Sequence, residues 1–364
     1  MVRVLLLVPY PPDTAPANRY RIEPFIGYLT QHGYAIDYSF VLSPEAYRVW
    51  YSQGHYFTKA WTLSKSHVYR WAETLIKARK IDLVWVQREA LLGPTSYFER
   101  WWAKRKPLVH DFDDSIWLKD VSRANRLFAW LKRPEKTADI IQAAAVVTVC
   151  NAYLEAYVRQ FHERVLRIPT VIDTEKYPLL PPNTREEVVI GWSGSYTTEK
   201  HLRTIEPVLL ALQKKYGARV RFRFIGVPQY WPQGLRGESL PWQPDTEVAD
   251  LSAIDIGLMP LPDDAWTRGK CGLKALQYMA LGRPAVVSPV SINCEIVQDG
   301  YNGYLAATFD EWIDKLSDLI ENPDKRHRMG LSARQTVERH YSVLSNRDKY
   351  IQAFQWALQL GPQG

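Results

Sequence analysis

The chain has 364 residues, 46% of them hydrophobic and 23% charged, which is enough for two domains of ordinary globular composition. Its net charge of +7 favours anionic partners, such as phosphorylated ligands or an anionic membrane surface, and no nucleic-acid-binding motif supports a nucleic-acid partner. The three cysteines have no metal-site spacing and suit a reducing, cytoplasmic location, and no apolar run approaches the ~18 residues of a membrane span.

Strand-like and helix-like runs alternate from the start of the chain, which predicts a parallel sheet covered by helices. The first run, Val2–Val8, is followed by prolines without a cleavage site, so it is predicted as a buried strand and not as a signal peptide. Further strands are predicted over 34–41, 81–87, 107–112 and 145–150, and helices over 20–32, 63–80, 96–106 and from the N-cap Asn151 onward, and residues 164–169 close this half of the chain.

A proline-rich, polar stretch then interrupts the alternation, and a second series of strands and helices follows it. The predicted division is an N-terminal domain 1–173, a linker 174–186, a C-terminal domain 187–342 and a helical segment 343–364. In the second series, strands are predicted over 188–192, 219–227, 254–261 and 285–290, and helices over 198–216, 308–321, 325–341 and 345–360. Two such α/β domains imply a cleft, with ligands at the carboxyl ends of the strands.

The most informative stretch is 268–290, RGKCGLKALQYMALGRPAVVSPV, which reads as a loop, a helix and a buried strand. Gly269 and Gly272 loosen the backbone before the helix, whose first N–H groups and dipole favour an anion. Lys270 and Lys274 would oppose that dipole unless an anion such as a diphosphate lies among them. The alternative is an ordinary surface helix with two solvated lysines.

This stretch resembles the signature of the retaining GT-B glycosyltransferases, of the glycosyltransferase family 4 or "glycosyl transferases group 1" type. The positions that match the family pattern are Gly272, Leu273, Met279, Ala280, Gly282, Pro284, Val286, Val287 and Ser288. The resemblance implies two Rossmann-like domains facing a cleft, with the C-terminal helix crossing back to the N-terminal domain. It also implies retaining transfer of a hexose from a UDP- or GDP-linked sugar to a hydroxyl of a sugar, glycan, lipid-linked glycan or small polyol. A bound cofactor or metal is not expected.

The chain departs from the family at two acidic positions, where Gly269 and Gln277 stand in place of glutamates. Gln277 is able to hydrogen-bond a ribose hydroxyl, as the family's second glutamate does. Gly269 has no side chain, so Lys270, Asp263 or Asp264 would have to replace the family's first glutamate near the donor sugar. The resemblance thus implies a catalytic role for Lys270. The donor-binding residues that it implies in this stretch are Lys270, Cys271, Gly272, Leu273, Lys274 and Gln277.

Two more loops carry candidate donor ligands. The first strand of the C-terminal domain ends in Ser193 and Gly194, whose N–H and hydroxyl groups suit a phosphate, and Lys200 matches a lysine that reaches the diphosphate in the family. The loop after the first strand of the chain carries Arg19, which we favour as a donor ligand, and Arg21. A tight turn and a solvated helix start are the alternatives.

The predicted strand 107–112 leads into His110-Asp111-Phe112-Asp113-Asp114-Ser115. Clustered carboxylates repel one another, so we expect them to bind a cation, a basic partner or sugar hydroxyls. In the family a histidine at this strand end contacts the donor sugar, so the resemblance implies catalytic roles for His110 and Asp111, with Asp111 facing the cleft. A structural histidine is the alternative.

The same segment supports a rival hypothesis, because Asp111, Asp113 and Ser115 form a D-x-D-x-[ST] motif after an apolar strand. It resembles the nucleophile motif of magnesium-dependent phosphohydrolases of the haloacid-dehalogenase type. That motif should follow the first strand of a domain, and the rival leaves 268–290 unexplained. A non-catalytic sugar-nucleotide binder is the third hypothesis, because the first glutamate is missing at Gly269.

Residues 47–71 hold eight aromatic residues, four Lys or Arg and no acid. A basic, aromatic-rich helical segment is typical of one that lies on a membrane interface, which predicts a peripheral location on the inner face of the membrane. The alternative is a helix that forms part of the core and surface of the first domain.

Overall fold

A computed structural model describes residues 1–52, 54–118, 133 and 135–363, which divide into two α/β units. The first unit contains Met1–Pro169 and Asn346–Gly364, and the second contains Thr170–Ser345. The fold class predicted from the sequence, two Rossmann-like domains, is confirmed. Gln53, in the aromatic-rich segment 47–71, lies outside the described residues. Within the described residues, no helix is long and apolar enough to cross a membrane.

The first unit is built on a sheet of six parallel strands in the order β2-β1-β3-β4-β5-β6. In chain order its elements are β1 (Val2–Val8), α1 (Glu23–Gln31), β2 (Tyr34–Phe40), α2 (Pro44–Tyr51), α3 (Tyr56–Lys77), β3 (Leu83–Gln87), α4 (Tyr97–Ala103), β4 (Leu108–Phe112), α5 (Glu135–Ala143), β5 (Val146–Val149), α6 (Ala152–Val158) and β6 (Val165–Arg167). A π-helical turn, Asn18–Ile22, leads into α1. The strands β3, β4 and β5 are buried along their whole length, as parallel strands with both faces covered should be.

The second unit has a sheet of six parallel strands in the order β12-β11-β10-β7-β8-β9. Its elements are β7 (Val188–Ser193), α7 (Glu199–Arg203), α8 (Glu206–Tyr216), β8 (Val220–Ile225), β9 (Gly237–Leu240), α9 (Glu247–Ser252), β10 (Ile256–Met259), α10 (Leu273–Ala280), β11 (Ala285–Val287), α11 (Ile292–Ile296), β12 (Gly303–Leu305), α12 (Phe309–Glu321) and α13 (Pro323–Thr336). The strand order reverses between β7 and β10. Open α/β sheets bind ligands at the carboxyl ends of the strands at such a reversal, so we expect a site at the loops after β7 and β10.

The helix predicted over 198–216 is in fact two helices, α7 and α8. Pro207 lies in the first turn of α8, and in a continuous helix its ring would clash with the carbonyl of Arg203. The break leaves α7 as a separate short helix next to the end of β7. This short helix carries Lys200 and His201.

The last helix, α14 (Val343–Leu360), belongs to the first unit from Asn346 onward. Its buried Tyr350 and Phe354 pack on Trp85 of β3, with ring centroids 4.9 Å and 5.2 Å away. The predicted return of the C-terminal helix to the N-terminal domain is therefore confirmed.

Residues 174–186, which we expected as a linker, are bonded into the second unit. The N–H of Leu180 donates to the carbonyl of Leu281 at 3.2 Å, and Nδ2 of Asn183 donates to Asp255 at 2.9 Å. The prolines of this stretch thus mark an extended segment that follows the surface of its own unit.

Candidate functional site

Two loops lie at the strand reversal of the second sheet. The β7 loop (194–198) leads from β7 into α7, and the β10 loop (260–272) leads from β10 into α10. Nine of the predicted donor-binding residues lie at the end of β7, in these loops or in the two helices: Ser193, Gly194, Lys200, Lys270, Cys271, Gly272, Leu273, Lys274 and Gln277.

The β10 loop ends at Gly272, which is the N-cap of α10 and has a φ of +74°. This left-handed backbone favours glycine, and a Cβ at this position would also lie 2.2 Å from Cδ1 of Ile296. Leu273 then starts α10. The first N–H groups of a helix have no partner within the helix, and its dipole favours an anion at that end.

Three of the predicted lysines are grouped around His201, a buried residue of α7 that the sequence did not single out. Burial is the main cause that lowers the pKa of His201 to about 4, and three nearby positive charges are the next. Those charges belong to Lys200, Lys274 and Lys270. Such a group of cations beside a helix N-terminus has the chemistry of an anion site.

Aromatic rings support two of these lysines. Nζ of Lys270 lies 4.8 Å from the ring centroid of Trp266, and Nζ of Lys274 lies 5.5 Å from that of Trp192. Both lysines are half-buried, whereas Lys200 is exposed. A charge that is partly removed from water interacts more strongly with an anion, so we expect Lys270 and Lys274 to contribute most.

The two acids that might replace the family's first glutamate make local contacts. Asp263 accepts two hydrogen bonds from the guanidinium of Arg268, at 2.7 Å and 3.1 Å. Asp264 accepts the N–H of Thr267 at 2.8 Å. The negative charge of Asp264 raises the pKa of His201, whereas the lysines lower it. Of the two acids, Asp264 is therefore the one that lies close to the lysines.

The backbone N–H groups of Ser193 and Gly194 are used inside the unit, which corrects the expectation that they serve a phosphate. Ser193 donates its N–H to the hydroxyl of Tyr278 at 2.8 Å, and Gly194 donates to the carbonyl of Ile225 at 2.9 Å. The Tyr278 ring is buried against Gly257, where a Cβ would lie 2.0 Å from it. Tyr278 therefore fixes the end of β7. Of the two donors predicted for Ser193, its side-chain hydroxyl is the one that stays a candidate for binding a phosphate.

Gln277 is buried and bonded within the second unit. Its Nε2 donates to the hydroxyl of Tyr177 at 2.8 Å and to Oε1 of Glu247 at 3.1 Å. The same carboxylate oxygen accepts from the indole of Trp242 at 3.0 Å. A carboxylate thus lies beside the position where the family has its second glutamate, but it comes from α9. The contact of Gln277 with a ribose stays a prediction.

Arg19 lies in the first unit, in the π-helical turn that follows the loop after β1. Its Nε donates to Oδ1 of Asp13 at 2.9 Å, and its guanidinium lies 5.2 Å from the ring centroid of Tyr20. Asp13 is largely exposed, and exposed ion pairs are weak enough for a ligand to replace. The contact of Arg19 with a donor stays a prediction.

Asp111 of β4 is fully buried, so the expectation that a substrate reaches it is wrong. Arg21 donates two hydrogen bonds to its carboxylate, at 3.0 Å and 2.5 Å. Oδ1 also accepts from the hydroxyls of Thr148 at 2.6 Å and Tyr350 at 3.1 Å. Burial is the largest single effect on the pKa of Arg21 and would lower it, but the charge of Asp111, the nearby Tyr350 and the hydrogen bonds to Asp111 together outweigh burial, so the pKa is raised. The pair joins the turn before α1 to β4, β5 and α14.

His110 is fully buried as well, and its predicted contact with a donor sugar stays a prediction. Its Nε2 lies 2.9 Å from the carbonyl oxygen of Arg88, to which it donates, and Nδ1 has no hydrogen-bond partner among the described residues. Burial lowers the pKa of His110 to about 4, so the ring is neutral near pH 7.

The remaining acids of the cluster are held by Arg88, which follows β3 directly. Its guanidinium lies 3.0 Å from Oδ1 of Asp113 and also pairs with Asp114. The basic partner that the cluster was expected to bind is therefore in the same unit. The phosphohydrolase hypothesis needs Asp111 as an accessible nucleophile, which its burial and its pairing with Arg21 prevent. In the part of the chain that the structure describes, no group of three His, Cys, Asp or Glu residues is arranged to hold a metal ion.

The two parallel sheets, one in each unit, and the returning C-terminal helix define a protein of the GT-B fold class. Residues 187–322, which include the lysine group, match the family described as Glycosyl transferases group 1. This match agrees with the resemblance that the stretch 268–290 carries.

Known structures have the same fold, and one known protein matches a short part of the sequence. The structure resembles sucrose-phosphate synthase from Thermosynechococcus elongatus, with a TM-score of 0.71, 14% sequence identity and 98% of each chain covered. It also resembles Anabaena HepE, solved with UDP and glucose, with a TM-score of 0.65, 14% identity, and 98% of this chain and 100% of that chain covered. Identities this low establish the shared fold. The spore coat protein SA of Bacillus subtilis is 30% identical over 68 residues, a stretch that is 18% of this chain and 18% of that protein.

Proposed function

We propose that the protein is a retaining glycosyltransferase that moves a hexose from a UDP- or GDP-linked sugar to a hydroxyl group. The observation that carries this proposal is that Lys270 and Lys274 flank the N-cap of α10 and act together with Lys200 on His201, within the region that matches the family. A nucleoside diphosphate has the negative charge that such a group binds. The presence of UDP in the structure of HepE supports a uridine donor as the first choice.

In the proposed reaction the bond between C1 of the sugar and the diphosphate oxygen breaks. A bond from C1 to the acceptor oxygen forms on the same face, and the acceptor proton passes to an oxygen of the leaving phosphate. The charge that develops on the diphosphate is neutralised by the lysines and the N-terminal end of α10, an electrostatic effect that is usually the largest catalytic contribution. We assign the catalytic role to Lys270, with Lys200 and Lys274 as donor ligands.

The acceptor class that we propose is a hydroxyl of a sugar, a glycan, a lipid-linked glycan or a small polyol. We also propose a cytoplasmic location, peripheral on the inner face of the membrane. The three cysteines form no disulfide, in keeping with a reducing compartment, and the net charge of +7 suits an anionic lipid surface.

Thermal unfolding in the presence of UDP-, GDP-, ADP- and TDP-sugars, each with and without magnesium, tests the donor site. A ligand at ~100 times its Kd stabilises a fold by ~2.7 kcal/mol, which raises the Tm. We expect one nucleotide group to raise the Tm of the wild type and of Lys214→Ala, an exposed lysine of α8, but not of Lys270→Ala. A panel without any shift would refute the donor site.

Transfer itself is tested by incubating the stabilising donor with candidate acceptors and reading the anomeric signals of the product by proton NMR. A product with the anomeric configuration of the donor supports retention, and the opposite configuration refutes it. Binding of the donor without turnover on any acceptor would identify a sugar-nucleotide-binding protein instead.

A further inference from the structure

Helix α3 of the first unit has its polar residues inside and its apolar residues outside. Lys59, Ser66, Arg70 and Glu73 are buried, and at 100° per residue they share one face of the helix. This arrangement is the reverse of an ordinary surface helix, which buries an apolar stripe and exposes a polar one.

The inner face of α3 is polar because the positions that it faces offer hydrogen-bond partners. The Arg70 guanidinium donates to the carbonyl of Ala90 at 2.7 Å, to the hydroxyl of Ser39 at 2.6 Å and to the carbonyl of Val8 at 3.0 Å. It also pairs with Glu73. The helix is therefore fixed in this orientation by a bonded, buried charge, and it cannot rotate its apolar side inward without breaking that network.

The outer face of α3 carries an apolar stripe that only Ser64 interrupts, between Trp61 and Val68. Phe57 is 85% exposed, Trp61 56%, Val68 71% and Leu75 66%. These positions, i, i+4, i+11 and i+18, differ in direction by no more than ~40° around the helix axis, and they span ~27 Å along it. Single exposed apolar residues are normal, but four large ones in a row of this length mark an interaction surface.

Exposed cations lie on α3, on the neighbouring helix α4 and just after each helix. Trp71 packs on Tyr97 of α4, with ring centroids 5.0 Å apart, so α3 and α4 share one surface. Each helix has one acid, Glu73 and Glu99, and both are buried. The exposed cations of the two helices and of the residues that follow them are Lys65, Arg79, Lys80, Arg100, Lys104 and Arg105. We call the stripe and these cations the α3–α4 surface.

We infer that the α3–α4 surface binds an anionic lipid membrane, with α3 lying in the plane of the interface. The apolar stripe would enter the boundary between headgroups and acyl chains, and the cations would face anionic headgroups. Trp61 and Trp71 are rings of the type that gathers at this boundary. A second copy of the chain fits less well, because two such surfaces would bring like charges face to face.

The α3–α4 surface would account for the peripheral membrane location proposed above. Membrane binding through this surface does not depend on transfer activity. The test is sedimentation of the full chain with vesicles of phosphatidylcholine alone and of phosphatidylcholine and phosphatidylglycerol in equal parts. We expect binding to the mixed vesicles, weakened by salt, and little binding to the neutral ones.

Two sets of variants locate the contact. Val68→Ser with Leu75→Ser should weaken binding at least about tenfold, because two apolar side chains no longer leave water. Lys104→Glu with Arg105→Glu should weaken it by at least about fivefold per removed cation. Leu344→Ser is the matched control, since Leu344 has the same 66% exposure as Leu75 but lies on α14.

All the substituted side chains are exposed, so thermal unfolding should be unchanged, and that measurement accompanies each variant. Equal binding by the wild type, the stripe variant and the Leu344→Ser control would overturn the inference. Light scattering gives a second result that would overturn it: a wild-type dimer that becomes a monomer in the Val68→Ser, Leu75→Ser variant. A second copy of the chain would then cover the stripe. Loss of vesicle binding with normal sugar transfer would support the surface and leave the proposed function intact.

Discussion

Removing the lysines of the second unit one at a time should weaken nucleoside diphosphate binding by amounts that follow their burial. Lys270 and Lys274 are half-buried, so replacing either with methionine removes a charge-assisted hydrogen bond of about 1.5–3 kcal/mol, which raises the Kd about 10- to 150-fold. Lys200 is exposed, and exposed ion pairs contribute about 0.2–1 kcal/mol, so Lys200→Met should raise the Kd only about 1.5- to 5-fold. Calorimetric titration with UDP and with GDP measures these changes.

The pKa of His201 reports on anion binding at the same site, independently of the Kd. Its pKa is lowered to about 4, first by burial and then by the three lysines, so an anion that offsets their charge should raise it. Lys270→Met should also raise it in the absence of ligand. Proton NMR of the His201 ring across a pH titration, with and without UDP, measures both effects.

Lys214→Met is the control for these measurements, because Lys214 is an exposed lysine of α8 outside the two loops. The reasoning is refuted if Lys270→Met and Lys274→Met leave the Kd for both nucleotides within about twofold of the control, which is below the weakest effect worked out for a buried contact. It is also refuted if saturating UDP leaves the His201 pKa unchanged.

Three further predictions concern stability. The pKa of His110 is lowered from 6.5 to about 4 in the folded chain, so its contribution is present above pH 6.5 and should be lost as the pH falls to 4, by at most about 3 kcal/mol in urea unfolding. Arg21→Met leaves the Asp111 charge buried without its main partner and should cost about 3–5 kcal/mol by the same assay. Gly257→Ala drives a methyl group into the ring of Tyr278 and should cost about 1–3 kcal/mol.

Each of these predictions has a matched comparison. His110→Gln should flatten the acid limb of the stability profile, and an unchanged profile would contradict the assignment. Arg19→Met breaks an ion pair whose acid is largely exposed, so a loss as large as that of Arg21→Met would mean that burial does not set the cost. A Cβ at Gly27 would have no neighbouring atom within 4 Å, so Gly27→Ala should not destabilise, unlike Gly257→Ala.

The sequence predicted the elements whose signal is local. A buried parallel strand such as β3 or β4 is a short apolar run, and Asn151 was predicted as an N-cap from residue type alone; in the structure it accepts the N–H of Leu154 at 2.8 Å. Strands defined mainly by pairing were missed. β12, Gly303–Leu305, has only three residues and exists because it pairs with β11.

The difference between local and remote signals also explains why the lysine site was predicted and the acidic cluster was not. The anion site of the second unit was predictable, because glycines, lysines and a helix start follow one another in 268–290. The acidic cluster was misread, because its partners are remote in the chain: Arg21 is 90 residues from Asp111, and Tyr350 is 239 residues away. Glu247 was missed for the same reason, since only the fold brings it to Gln277.

The two units use charge in different ways, and this difference indicates where the chemistry lies. In the first unit the buried charges neutralise one another, as Arg21 and Asp111 or Arg70 and Glu73 do. In the second unit the positive charges of Lys200, Lys274 and Lys270 act together on the neutral ring of His201 and lower its pKa. An anion that binds there offsets these charges and stabilises the fold as it binds. We therefore expect a diphosphate to act on the second unit, and not at the acidic cluster whose charges are already satisfied.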